Sequence, residues 1–202
     1  MFDATIRPWI DLTFNPLGRW LAQQGATADQ VTIAGFALGL GSAFAIAAGQ
    51  FELGLTLIIL NRVCDGLDGA IARATRTTDR GGFLDIVLDF VFYVSVPLAF
   101  ALHDPAHNAV AAAALIASFL ANGGAFLAYA AAAAKRGITT TAQGSKSIYY
   151  MAGMAEGAET VLVFCAFCLW PEAFSWLAIA FAGVCALSAA GRVFMGWKAL
   201  AD

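Results

Sequence analysis

At 202 residues, with 60% hydrophobic side chains, 12% charged ones and a mean hydropathy of +0.75, the chain is too apolar for an ordinary soluble domain. It reads as an integral membrane protein. A net charge of −3 argues against a nucleic-acid partner, which calls for a basic patch.

The first 25 residues are expected to form an interfacial amphipathic helix. There Ile6, Trp9, Ile10, Leu17, Trp20 and Leu21 alternate with Arg7, Asp11, Arg19 and Gln23. No signal-peptide n-region and cleavage site is evident, so the first span is expected to stay in the mature protein. Apolar stretches of roughly 20 residues, enough to cross about 30 Å of hydrocarbon, fall at about 30–49, 52–75, 82–103, 107–134, 147–170 and 173–197. The expected fold is therefore an all-α integral membrane protein with six transmembrane helices. Neither a repeat nor a linker divides the chain, so residues 1–202 are expected to form one domain. Thr27-Ala28-Asp29-Gln30 offers caps before the first span, and Asp104-Pro105 breaks the chain after the third. Gly35 to Gly39 and Gly153 to Gly157 are small-xxx-small patterns that allow close helix contact. Cys64, Cys165, Cys168 and Cys185 lack partner ligands and read as small buried hydrophobes.

Orientation follows from the basic residues. Arg7 and Arg19 precede the first span, Arg76 and Arg80 lie between the second and third, Lys135, Arg136 and Lys146 between the fourth and fifth, and Lys198 follows the sixth. The loops at about 49–52, 104–107 and 171–172 carry neither Lys nor Arg. The positive-inside rule then puts both termini and the 76–80 loop in the cytoplasm. His103 and His107 fall on the opposite side and read as interface residues.

The chemistry is concentrated between Asp65 and Asp89. On a helix turning about 100° per residue, Asp65, Asp68, Gly69 and Ala72 share an arc of about 100°, with Arg73 beside it. Asp85 and Asp89 are four apart and point the same way. Two helices thus aim four carboxylates at one spot, and intramembrane carboxylates are costly unless paired or functional. Hard divalent cations suit such oxygens, and no His or Cys stands near to favour zinc. Gly69 and Ala72 leave the carboxylate face bare for a flat ligand, and Arg73 adds a phosphate-matching fork. Metal, bare helix and arginine together imply a nucleotide-like diphosphate. The alternative is structural neutralisation, with Asp68 paired to Arg73 or Asp65 to Arg62.

The order Asp-x-x-Asp-Gly-x-x-Ala-Arg, seven residues, then Gly-x-x-x-Asp-x-x-x-Asp is met at Asp65, Asp68, Gly69, Ala72, Arg73, Gly81, Asp85 and Asp89. In this the sequence resembles the CDP-alcohol phosphotransferases. The resemblance implies transfer of a phosphatidyl group from a CDP-linked donor, CDP-diacylglycerol in bacteria, to a small alcohol with release of CMP. It implies two divalent metal ions, Mg²⁺ or Mn²⁺, on Asp65, Asp68, Asp85 and Asp89, with Asp89 as general base. Asp68, Gly69, Ala72, Arg73 and Gly81 would line the CDP-donor site. A homodimer in the bacterial inner membrane, with the active site facing the cytoplasm, is also implied.

The acceptor is less legible. Lys135, Arg136 and Lys146 suit an anionic acceptor, with glycerol 3-phosphate the leading expectation. Tyr149 and Glu156, seven apart on one face, can instead line a cavity for serine, inositol phosphate or another polar alcohol, or Glu156 can pair with Arg192 or Lys146 as structure. More remote readings are an aspartate-rich intramembrane prenyltransferase, which differs in aspartate spacing, and an ion-coupled transporter, which tends to show repeated halves.

Overall fold

The computed structural model describes the backbone of residues 3–137 and 156–201 and the side chains of residues 13–137 and 156–201. Among these, every element is helical: α1 (Asp3–Gln23), α2 (Ala28–Ala47), α3 (Phe51–Ala74), α4 (Asp79–His103), α5 (Pro105–Lys135), α6 (Gly157–Leu169), a 3-10 turn at Pro171–Ala173, and α7 (Phe174–Ala199). The helix boundaries follow local chemistry. Thr27 caps α2 in a capping box: its hydroxyl accepts from the Gln30 amide at 3.3 Å, and Gln30 Oε1 accepts from the Thr27 amide at 3.1 Å. Asp104 separates α4 from α5, its carboxylate accepting from the His107 amide, and Pro105 occupies the first turn of α5 where its missing N–H costs nothing.

Among the described residues four segments, α2, α4, α5 and Pro171–Ala199, are long and apolar enough to cross a membrane. α3 has the length at 24 residues, but Glu52, Arg62, Asp65, Asp68 and Arg73 interrupt its apolar run. The expected fifth span is described only from residue 156 onward, as the 13-residue α6. A count of six therefore draws on α3 and on residues outside the described part. Large apolar side chains on the outer surface, such as Phe44, Val110, Leu120, Trp176 and Trp197, are what a lipid solvent permits and water does not. The molecule is an all-α integral membrane protein.

α2 packs on α3 and α4, α3 on α1 and α6, and α5 on α4 and α7. Missing side chains make the first of these contacts close. A Cβ on Gly35 would stand 2.7 Å from Cys64 Cβ, and one on Gly39 would stand 2.8 Å from the Phe92 ring. Gly18 likewise lets α1 rest on Ala70 of α3, and Gly123 of α5 receives the Phe90 ring. The buried core is aromatic and gathers on the C-terminal half of α4. Phe92, Phe100, Phe164, Phe167 and Phe174 are all fully buried. Phe100 and Phe174 stack at 4.4 Å between centroids, and Phe167 meets Phe174 edge-on at 4.8 Å. All four cysteines are free, Cys168 and Cys185 buried and Cys64 and Cys165 half-buried.

Candidate functional site

α3 and α4 form an antiparallel hairpin joined by residues 75–78. Asp68 lies six residues before the end of α3 and Asp85 six after the start of α4, so at 1.5 Å per residue both sit about 9 Å from the hairpin tip. Asp65 and Asp89 lie about one turn deeper, also level with each other. This register brings the expected carboxylates together. One oxygen from each of Asp65, Asp85 and Asp89 lies within 4.8 Å of the others, and Asp68 lines the same pocket. Asp68 is buried and accepts a hydrogen bond from the Thr32 hydroxyl at 2.6 Å, which ties it to α2.

Arg62 sits among these carboxylates. Its Nη2 is 2.8 Å from Asp89 Oδ1 and its Nη1 is 3.6 Å from Asp65 Oδ2. Its Nε donates to Asn61 Oδ1 at 2.7 Å, and Asn61 Nδ2 donates to the Gly35 carbonyl at 2.8 Å. The guanidinium lies over the Phe92 ring, 4.8 Å from its centroid, and 5.7 Å from that of Tyr93. The Tyr93 hydroxyl is in turn 3.5 Å from Asp89 Oδ2. The sequence suggested Arg62 only as a partner of Asp65; its shorter contact is to Asp89, across the hairpin. Thr32, Asn61 and Tyr93 were not anticipated. An Asn-Arg pair inside the apolar stretch Leu57 to Val63 was the available signal.

The remaining expected residues divide. Gly69 presents an open face, since among the described residues a Cβ there would meet only the Arg73 Nη1, at 3.2 Å. Ala72 is half-buried one turn on. Arg73 is exposed, does not line the carboxylate pocket, and donates to Asn15 Oδ1 of α1 at 3.0 Å. Gly81 donates its amide to the Thr78 hydroxyl at 3.1 Å, and a Cβ there would press on Thr78 and on Asp29 of α2. Lys135 and Arg136 are exposed at the end of α5. Lys146 and Tyr149 lie outside the described residues, as does Gly153. Glu156 is buried as the N-cap of α6, its amide donating to Glu159 Oε2 at 3.3 Å, and the Thr160 hydroxyl donates to its carbonyl at 2.8 Å. The two glutamates thus open a helix, where acidic groups complement the dipole.

The pocket fits a hard divalent cation. Its donors are carboxylate oxygens from two helices, three of them close enough to share an ion, and Arg62 alone offsets four acidic side chains among the described lining residues.

The sequence model of the CDP-alcohol phosphatidyltransferase family matches residues 26–188. Inner membrane protein YnjF of Escherichia coli is 42% identical over 200 residues, covering 99% of this chain and 97% of that protein. Archaetidylinositol phosphate synthase of Pyrococcus horikoshii is 33% identical over 100 residues, which is 49% of this chain and 53% of that one. Among solved structures, Mycobacterium tuberculosis phosphatidylinositol phosphate synthase (PgsA1) shares the fold at 21% identity. Its complex with manganese and citrate gives a TM-score of 0.72 over 92% of this chain and 89% of that chain. Its CDP-DAG complex gives 0.67, over 92% and 94%.

Proposed function

The chain belongs to the CDP-alcohol phosphatidyltransferase family, whose members pass a phosphatidyl group from a CDP-alcohol to an alcohol acceptor in phospholipid synthesis, and from that premise we propose that it is a divalent-metal-dependent enzyme using CDP-diacylglycerol. The observation that carries this reading is the convergence of Asp65, Asp85 and Asp89, with Asp68 in the same pocket. PgsA1, which shares the fold, has been crystallised with CDP-DAG and with manganese, and this supports donor and metal alike.

Asp65, Asp68, Asp85 and Asp89 would hold two ions, Mg²⁺ or Mn²⁺. Bound there, divalent charge would offset the negative oxygens of a diphosphate, which is most of what phosphoryl transfer requires. The side chains do the rest. Asp89 takes the proton of the acceptor hydroxyl as its oxygen bonds to the lipid-bearing phosphorus. The bond from that phosphorus to the bridging oxygen breaks, and CMP departs with the bridging oxygen. The open face at Gly69 and Ala72 receives the cytidine, and Gly81 lets the start of α4 approach it. Arg73 reaches the phosphates by exchanging Asn15 for them.

For the acceptor we favour a phosphorylated polyol, glycerol 3-phosphate or inositol phosphate. The exposed Lys135 and Arg136 suit its phosphate, and the printed names of archaetidylinositol phosphate synthase and PgsA1 add weight to the inositol case. The single domain, the homodimer, the cytoplasmic termini and the cytoplasmic site belong to the same proposal. The apolar helices and the likeness to an Escherichia coli inner membrane protein support an inner-membrane location. The deciding experiment gives purified protein CDP-diacylglycerol, Mn²⁺ or Mg²⁺, and in turn glycerol 3-phosphate, inositol phosphate, serine and choline. CMP release with a phosphorylated polyol and the matching lipid by mass is expected. Turnover only with serine or choline would overturn the acceptor assignment, and no CMP with any acceptor would overturn the reaction.

A further inference from the structure

Arg62 is held more firmly than charge pairing requires. Carboxylates take two of its nitrogens, but Nε is bound to Asn61, and Asn61 is pinned to the α2 backbone at Gly35. Phe92 and Tyr93 present their ring faces to the guanidinium. A side chain tethered by carboxylates alone leaves when a more highly charged cation arrives. One that is also anchored by an amide and two rings has contacts that the newcomer does not contest. Its side chain is only 17% exposed, so moving it would also strip a packed surface.

Resting on the metal-dependent reading above, we propose that Arg62 is a resident cation of the acidic pocket and a positioning residue for Asp89. It stays in place when divalent cations bind. Its Nη2 fixes Asp89 through Oδ1, and Oδ2 is left beside the Tyr93 hydroxyl in a contact long enough to yield to an acceptor hydroxyl. The fixed positive charge also moderates how tightly the carboxylates hold divalent ions.

The test separates charge from geometry. Mn²⁺ binding is read by the free-ion EPR signal without any turnover, and CMP release is measured alongside. Arg62→Gln removes the charge, so the Mn²⁺ dissociation constant should fall about tenfold. In the same variant kcat should fall by about 10- to 100-fold with donor KM unchanged. Arg62→Lys keeps the charge and loses the fork, so Mn²⁺ affinity should return toward wild type while kcat stays low. Asn61→Ala keeps the charge and removes one anchor, giving wild-type Mn²⁺ affinity and reduced kcat, and it serves where Arg62→Gln does not fold.

Tighter Mn²⁺ binding by Arg62→Gln with undiminished kcat would mean that the metal displaces Arg62, and would overturn the proposal. Unchanged Mn²⁺ affinity in Arg62→Gln, or wild-type kcat in Asn61→Ala, would overturn it as well. If wild-type protein binds Mn²⁺ but releases no CMP from any CDP donor, the enzymatic reading fails. Asn61→Ala then decides by binding alone: wild-type Mn²⁺ affinity is expected of a resident Arg62, and tighter binding would mean that the metal displaces it.

Discussion

The two halves of α4 answer opposite demands with the same backbone. In the half that ends at Asp89, Asp85 and Asp89 are half-buried, and Asp89 is located by Arg62 of α3. From Phe92 to Phe100 one face is packed, with Phe92, Val96, Pro97 and Phe100 fully buried, Phe92 meeting Phe164 of α6 and Phe100 stacked on Phe174 of α7. The packed half has ring partners on several sides. The open half has directional contacts and room for a ligand. Phe92 joins them, since one aromatic surface faces Arg62 and another meets Phe164 at 5.9 Å between centroids. A rigid apolar floor thus supports a polar site whose own contacts are few.

That contrast predicts that activity and stability separate along the helix. The largest expected effect is on activity: Asp89→Asn should reduce CMP release by about 10²- to 10⁴-fold, with little change in melting temperature in detergent. Robust CMP release by this variant would remove Asp89 from the role of base. Next, Phe100→Ala should cost about 3–5 kcal/mol of stability by leaving a cavity, measured by chemical or thermal unfolding. Its kcat well below the melting temperature should stay near wild type, and an inactive yet folded Phe100→Ala would break the division between the halves. Gly123→Leu places a side chain where the Phe90 ring now lies and should cost about 1–3 kcal/mol, again with activity retained in the folded fraction.

The smallest expected effect lies at the far end of α4, in the Asp104 turn. Hydrogen bonds from His107 hold the exposed Asp104 carboxyl below the ordinary carboxylate range. A depressed folded value means stability that is present above the unfolded value of about 4 and lost as pH falls through the lower folded one. Asp104→Asn keeps a capping side chain and should flatten that acid limb slightly. Melting curves between neutral and acid pH compare the two proteins.

Much of this arrangement was readable from the chain. Thr27 and Asp104-Pro105 mark helix ends because caps are local chemistry, and the i,i+4 pair Asp85 and Asp89 shows its direction without knowledge of a partner. Gly35 and Gly39 announced a close approach, and they make one. Periodicity gives a face, however, and not the helix opposite it. Arg62 could therefore be matched to Asp65 on its own helix but not to Asp89 across the hairpin. The contact of Arg73 with Asn15 is not legible either, because the position of α1, set by Gly18 against Ala70 and Phe14 against Gly66, brings Asn15 within reach only in three dimensions. For Glu156 the sequence offers a cavity lining or a structural pair with Arg192 or Lys146, and its place as N-cap of α6 depends on where that helix begins.

The connection between α3 and α4 spans only residues 75–78, and the pocket carboxylates among the described residues all come from this one hairpin. This bears on how the protein enters the membrane. A carboxylate-bearing segment partitions poorly by itself, but Arg62 travels on α3 with Asp65 one turn away, and Asp89 joins it as soon as α4 folds back. The hairpin therefore carries its own counter-charge into the bilayer. Neutralisation of the site is in this sense local to two consecutive helices.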